Sequence, residues 1–145
     1  HRSRAPRVMD VAALVARESI RDLVARYNAY GDSGLFDRLI DLFAADAVLE
    51  LADGEHRGLD AIRSVFTGTR DRGAGYIRHH TATHQIDLHT DTTASGRCYF
   101  SVLTTVGLDH WGRYLDHYES VDGAWRFAHR KVVVDGFSED SLFAD

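Results

Sequence analysis

The hydrophobic pattern of this chain changes period once. Before Gly75 the apolar residues recur mainly at helical spacing; from Tyr76 to Val134 they alternate as strand residues do. Helices first and hairpin-linked strands afterwards predict an α+β fold, with N-terminal helices packed on one face of a curved antiparallel sheet. The pattern contains no internal repeat.

Asp10 can cap a helix beginning at Val11, in which Ala12, Ala13, Ala16, Ile20, Leu23, Val24 and Tyr27 share a face. That helix should stop near Gly31. A second helix is expected over Leu35–Ala44, a short strand over Asp46–Leu51, and a third helix over Gly58–Arg70, followed by a glycine-rich loop to Gly75. Strands are expected over Tyr76–His89, Ala94–Val106, Trp111–Val121 and Ala124–Val134. Asp122-Gly123 closes the last hairpin and Gly107–His110 forms a loop. On the final strand Trp125, Phe127, His129 and Lys131 should share a face. The domain is expected to span 10–137. Residues 1–9, basic and holding the only proline, are expected to be a disordered arm or vector remnant, and 138–145 an acidic tail.

The chemically richest stretch is Tyr76–His89. Strict alternation puts His80, Ala82, His84, Ile86 and Leu88 on one face and Ile77, His79, Thr81, Thr83, Gln85 and Asp87 on the other. His80 therefore opens a face that becomes apolar, as a hydrogen-bonded core residue or as a base in a pocket.

Composition narrows the partners. A formal charge of -5, with arginines interspersed among acids, argues against nucleic acid. No apolar run reaches the ~20 residues of a membrane span. The single cysteine, Cys98, excludes an internal disulfide framework and fits a reducing cytoplasm; it reads as a small core residue. Nine histidines raise the question of a metal. Strand geometry answers it, because His80 and His84 would lie about 13 Å apart, too far to share one zinc.

The motifs Ile20-Arg-Asp-Leu-Val-Ala-Arg-Tyr27 leading to Asp32, Leu39-Ile-Asp-Leu-Phe43, Arg78-His-His-Thr, Gly112-Arg-Tyr and Asp122-Gly-Ala-Trp-Arg-Phe-Ala-His-Arg130 resemble the SnoaL-like group of the nuclear-transport-factor-2-like (cystatin-like cone) superfamily. The resemblance covers nearly all of Arg17–Val134 and implies a cone-shaped pocket. It does not imply one reaction, because the superfamily includes scytalone and bile-acid dehydratases, hexachlorocyclohexane dehydrochlorinase, polyketide cyclases, ketosteroid isomerase and non-catalytic subunits. Its dehydratases and dehydrochlorinase use an aspartate at the end of the first helix and a histidine on the first long strand, which the resemblance places at Asp32 and His80. The bile-acid dehydratase adds a tyrosine, matched by Tyr27, with Tyr30 the second candidate. The second histidine of scytalone dehydratase, on the following strand, has no counterpart in Ala94–Val106.

Such residues suit removal of a proton next to a carbonyl. Histidine is the natural base near neutral pH, an aspartate on its other ring nitrogen fixes the tautomer, and a tyrosine hydroxyl can bond the developing oxyanion. The expected activity is a cofactor-independent, dehydratase-type lyase acting on a small hydrophobic or aromatic carbonyl compound. The rivals are an isomerase or polyketide-type cyclase using the same pocket, and a non-catalytic binding or assembly subunit. Pocket walls are expected from Tyr30, Phe36, Phe43, Leu49, Phe66, Tyr99, Tyr114 and Trp125, and a homo-oligomer, dimer or trimer, is expected from the long hairpins. The plainer alternatives are that Asp32 caps the turn before the second helix, that His80 is a bonded core histidine and that Tyr27 is a core tyrosine.

Overall fold

A computed structural model describes residues 10–68 and 73–144. The arm expected over 1–9, the end of the helix expected to reach Arg70, and part of the glycine-rich loop lie outside the described residues. The elements are α1 (Val11–Asp32), α2 (Phe36–Ile40), β1 (Phe43–Leu51), β2 (Gly54–Arg57), α3 (Leu59–Gly68), β3 (Arg78–Leu88), β4 (Thr93–Thr104), β5 (Gly107–Val121) and β6 (Ala124–Phe137). The strands form one sheet in the order β2-β1-β6-β5-β4-β3. All neighbours are antiparallel except β1 and β6. The fold is α+β, with the helices on the concave face of an unclosed sheet.

Asp10 caps α1, its carboxylate accepting from the Ala13 N–H at 2.8 Å. At the other end Leu35 N–H reaches the Tyr30 carbonyl and Gly34 N–H reaches that of Gly31, with Gly34 at φ 71°. These paired bonds around a left-handed glycine make a Schellman stop. Gly34, not Gly31, ends the helix, and Asp32 stays inside its last turn. The second helix is shorter than expected because the Leu42 carbonyl accepts from the Phe127 N–H at 2.8 Å, drawing the chain into the sheet. Thus β1 begins at Phe43 rather than Asp46. Gly107–His110, expected as a loop, opens β5 instead, with Gly107 at φ 90° making the tight entry.

Ile20, Leu23, Val24 and Tyr27 of α1 pack on Phe100, Val102, Tyr114 and Phe127 of the sheet, with Leu39, Phe43 and Ile62 completing the core. Burying a side chain of this size contributes about 1.5–3 kcal/mol. The edge strand β3 is covered by α1: Arg17 donates to the Ile86 carbonyl at 2.7 Å and Arg21 to that of His84 at 3.2 Å.

Three of the five register shifts in the sheet decide which side chains face the site. Ala82 pairs with Tyr99 and Gln85 with Arg97, so Thr83 and His84 together oppose Cys98, with Thr83 at φ 52°. Val102 pairs with His110 and Leu103 with Leu108, leaving Asp109 as an extra residue of β5. His117 pairs with His129 and Tyr118 with Phe127, leaving Ala128 as an extra residue of β6. An inserted residue shifts the alternation by one, exchanging inner and outer faces beyond it.

This corrects two expectations. On β3, His84 and Ile86 face inward after the bulge, but before it the inward residue is His79, paired with buried Val102; His80 is exposed. On β6, Phe127 and Arg130 are both buried, while His129 and Lys131 lie on the other side, near Glu50. Beyond β6, the segment 138–144 does not trail away. Ser138 N–H bonds the Asp109 carbonyl, and the Ser141 hydroxyl and Leu142 N–H bond the Asp109 carboxylate.

Candidate active site

A cavity of about 360 Å³ opens between the end of α1, α3 and the sheet, lined by Tyr27, Asn28, Gly31, Asp32, Gly34, Phe36, Phe66, Ile77, His79, His110 and Phe143. Tyr27, Asn28, Gly31 and Asp32 are one stripe of α1, brought to one side by its 3.6-residue period.

Among the described residues Asp32 is held by His79 alone. One carboxylate oxygen accepts from the His79 backbone N–H at 2.9 Å, and the other lies 2.6 Å from His79 Nδ1. A carboxylate only accepts, so Nδ1 carries the hydrogen and Nε2 is left with its lone pair when the ring is neutral. No bond of Nε2 occurs among the described residues. Asp32 caps nothing. It sits at the negative end of the 22-residue helix α1, where a carboxylate is disfavoured by about 0.3–1 kcal/mol. That local cost is offset by the two bonds to His79, the kind of broken rule that marks functional sites.

Tyr27 stands deeper in the cavity wall. Its ring meets Phe43, Phe66, Tyr114 and Phe127 edge-on at 5.6–6.1 Å between centroids. Burial raises its hydroxyl pKa, and the charge of Arg130 beneath opposes the rise. The phenol is therefore a protonated donor at neutral pH. Arg130 lies 4.2 Å from the Tyr27 ring, 3.8 Å from Tyr114 and 4.2 Å from Phe127. Its charge is balanced by Asp116 through bonds of 2.8 and 2.9 Å. Burial by itself would lower the Arg130 pKa, but the Asp116 carboxylate raises it, so the ion pair persists. Asn28 Oδ1 accepts from Tyr114 at 3.2 Å, while the buried Asn28 Nδ2 has no partner among the described residues.

Of the expected site residues, Asp32, Tyr27, Phe36 and Phe66 line the cavity. His80 does not. Phe43, Leu49 and Tyr114 are core residues behind the lining, Tyr114 stacking on Phe100 at 4.6 Å. Tyr30 packs at the margin and accepts from Arg26, Trp125 packs partly buried at the core's edge, and Tyr99 is exposed, outside the cavity. Asn28, His79, His110 and Phe143 line the cavity and Arg130 lies against the Tyr27 ring, placements that strict alternation did not predict. The stripe spacing could have found Asn28; only the bulges explain His79, His110 and Arg130.

Cys98 is buried, and desolvation pushes its thiol up to about 11, as suits a core residue. Among the described residues no three His, Cys, Asp or Glu side chains converge as metal ligands would. No helix among them is long and apolar enough to cross a membrane.

Residues 12–131 match the SnoaL-like domain. The chain belongs to the SnoaL-like family. No curated protein matches it in sequence. Among solved structures, hexachlorocyclohexane dehydrochlorinase LinA-type3 from Novosphingobium barchaimii is similar at TM-score 0.78 and 18% identity, over 89% of this SnoaL-like chain and 92% of that one. A candidate scytalone dehydratase from Novosphingobium aromaticivorans gives 0.75 and 23%, over 86% and 87%. The β subunit of a candidate aromatic-ring-hydroxylating dioxygenase from the same species gives 0.71 and 18%, over 86% and 92%. At these identities the likeness is one of fold, and it spans proteins named for different roles.

Proposed function

We propose that this SnoaL-like protein is a cofactor-independent lyase of the dehydratase type, in which His79 and not His80 is the base. The observation that carries the reading is the double hold of Asp32 on His79, which directs one nitrogen at the carboxylate and leaves the other for a substrate. The apolar lining from Phe36, Phe66 and Ile77 suits a small hydrophobic or aromatic carbonyl compound. His79 Nε2 removes the proton next to the carbonyl, and Asp32 stabilises the imidazolium that forms. The hydroxyl of Tyr27 and the unpartnered Nδ2 of Asn28 are donors for the oxygen on which charge builds. The electron pair then expels a β-leaving group. An isomerase or cyclase would share the first step; product mass separates them, falling by one water only for the lyase.

The test uses benzylacetone in deuterated water, which reports proton abstraction by exchange next to the carbonyl, and the aldol adduct of benzaldehyde with acetone, whose dehydration gives a conjugated enone absorbing in the near ultraviolet. His79→Gln and Asp32→Asn should each lower both rates by about 100- to 10,000-fold, and His80→Gln should leave both near wild type. Full activity in His79→Gln, or loss in a well-folded His80→Gln, would reverse the assignment.

A further inference from the structure

A second histidine of the same cavity, His110, is paired with a buried aspartate. His79, Val102 and His110 form one row across β3, β4 and β5, because Val102 is the register partner of both histidines. Two strand spacings put their backbones about 10 Å apart on the same face. Phe100 lies between the imidazoles, its ring centroid 6.4 Å from His79 and 6.3 Å from His110.

Adjacent strand residues ordinarily point to opposite faces, so Asp109 and His110 should not cooperate. The bulge at Asp109 lifts that restriction and brings both carboxylate and imidazole to the inner side. His110 Nδ1 lies 2.8 Å from Asp109 Oδ1. Asp109 is fully buried and accepts further bonds from the Ser141 hydroxyl at 2.5 Å, the Leu142 N–H at 2.9 Å and the Thr104 hydroxyl at 3.2 Å. A carboxylate surrounded by four donors cannot turn, so the His110 ring is fixed as well. Phe137 and Phe143 flank it at 5.8 and 5.2 Å. A purely structural histidine would have both nitrogens bonded; Nε2 has no partner among the described residues, and the residue lines the cavity.

We propose that His110, oriented by Asp109, is the acid that protonates the β-leaving group. The inference rests on the proton-abstraction reading of His79. His79 Nε2 takes the proton next to the carbonyl, and the C–H electron pair becomes the enolate. The enolate pair forms the carbon–carbon double bond as the bond from the β-carbon to oxygen breaks. The departing hydroxide takes the Nε2 proton of imidazolium His110 and leaves as water. His79 ends protonated and His110 neutral, and proton exchange with solvent resets both. The charge of Asp109 balances the imidazolium at the start of the cycle. Asp32, His79 and Tyr27 are the other titratable groups lining the cavity.

The experiment compares three reactions of purified wild type, His110→Gln and His110→Phe, the last keeping a ring against Phe137 and Phe143. They are deuterium exchange into benzylacetone, dehydration of the benzaldehyde–acetone aldol, and loss of acetate from the acetyl ester of that aldol. Acetate departs without a proton. Dehydration should fall by about 100-fold or more in both variants, while exchange and acetate loss stay near wild type. An equal fall in all three reactions by both variants, with melting temperatures unchanged, would make His110 a structural residue and overturn the inference. Unchanged dehydration would overturn it too. Absence of exchange in wild type would instead overturn the reading of His79, and this inference with it.

Discussion

Asp109→Asn should change the acid stability of this protein by an amount the site geometry supplies. Burial alone would raise the Asp109 pKa. The bonds from Ser141, Leu142, His110 and Thr104 overcome that and hold it at about 2, against an ordinary 3.8. A carboxylate with a depressed folded pKa stabilises the fold fully above its unfolded pKa and loses that contribution as pH falls through the folded one. The difference is worth about 2–3 kcal/mol, present above roughly pH 4 and lost towards pH 2. Asparagine replaces one oxygen by an NH2 group, which must then face donors, so the variant never has this contribution. Wild type and variant should therefore differ most near pH 5–6 and converge by about 2–3 kcal/mol on approaching pH 2, equivalent to roughly 5–10 °C in melting temperature for a chain of this size.

Urea unfolding at a series of pH values measures the gap. His84, held neutral with its pKa lowered to about 4 chiefly by burial and then by Arg21, contributes a separate loss as pH falls from about 6.5 through 4. That loss is common to both proteins and cancels in their difference. Hydrogen exchange gives a local check, since the Leu142 amide, bonded to Asp109, should lose protection in the variant while the Ile20 and Leu23 amides of α1 keep theirs. A gap that stays constant from pH 6 to pH 2 would refute the claim that Asp109 is stabilised as an anion by its four donors.

Three further outcomes follow from the same geometry. Tyr27→Phe keeps the ring contacts and removes only the hydroxyl, so activity on the aldol probe should fall by about 10- to 1,000-fold with little change in melting temperature; unchanged turnover would remove Tyr27 from the chemistry. Gly112→Ala should destabilise by about 3 kcal/mol or more in urea titration, because the new Cβ would lie 1.9 Å from the Val133 carbonyl and 2.8 Å from the Phe100 ring. Asp116→Asn should cost about 3–5 kcal/mol by leaving Arg130 charged and unpaired, and the double change Asp116→Leu with Arg130→Met should recover most of it; a double variant as unstable as the single one would show that the pair itself stabilises the fold.

The helices, the sheet and the place of Asp32 were legible in the sequence because they depend on signals that run over many residues. Period, the Asp10 cap and the Asp122-Gly123 turn each act locally and agree with the fold. Which histidine of β3 faces the cavity was not legible, for a physical reason. Alternation determines which residues share a face only while the ladder is unbroken, and one inserted residue reverses the answer. Read back from Ile86 and Leu88, strict alternation points to His80; the bulge at Thr83 and His84 makes it His79. The same reversal brings Arg130 rather than His129 beneath Tyr27. It also allows the buried Asp109 to hold the ring of the consecutive, cavity-lining His110, which alternation forbids. Thr83 hints at its bulge only through an unfavourable positive φ that no propensity would assign to a β-branched residue.

The bulges therefore place these side chains as well as bending the sheet. A straight β3 with His84 and Ile86 facing inward would turn His79 out to solvent and leave the Asp32 carboxylate, at the unfavourable end of its helix, without either of its donors. A straight β5 would separate His110 from Asp109 and release Ser141 and Leu142 from their shared acceptor. Removing the extra residue tests this directly. Deleting Thr83 should restore regular pairing between β3 and β4 beyond Ala82 and rotate either His79 or Ile86 outward. The protein must then choose between the His79–Asp32 bonds and burial of Ile86. Exposing a buried isoleucine costs about 2–5 kcal/mol, whereas water can replace much of what the two bonds to the partly exposed Asp32 carboxylate supply. The deletion variant should consequently keep Ile86 inside and lose base catalysis, with benzylacetone exchange falling to the level of His79→Gln while the chain still unfolds cooperatively. Retained exchange in a folded deletion variant would show that the position of His79 is set by Asp32 and not by the ladder.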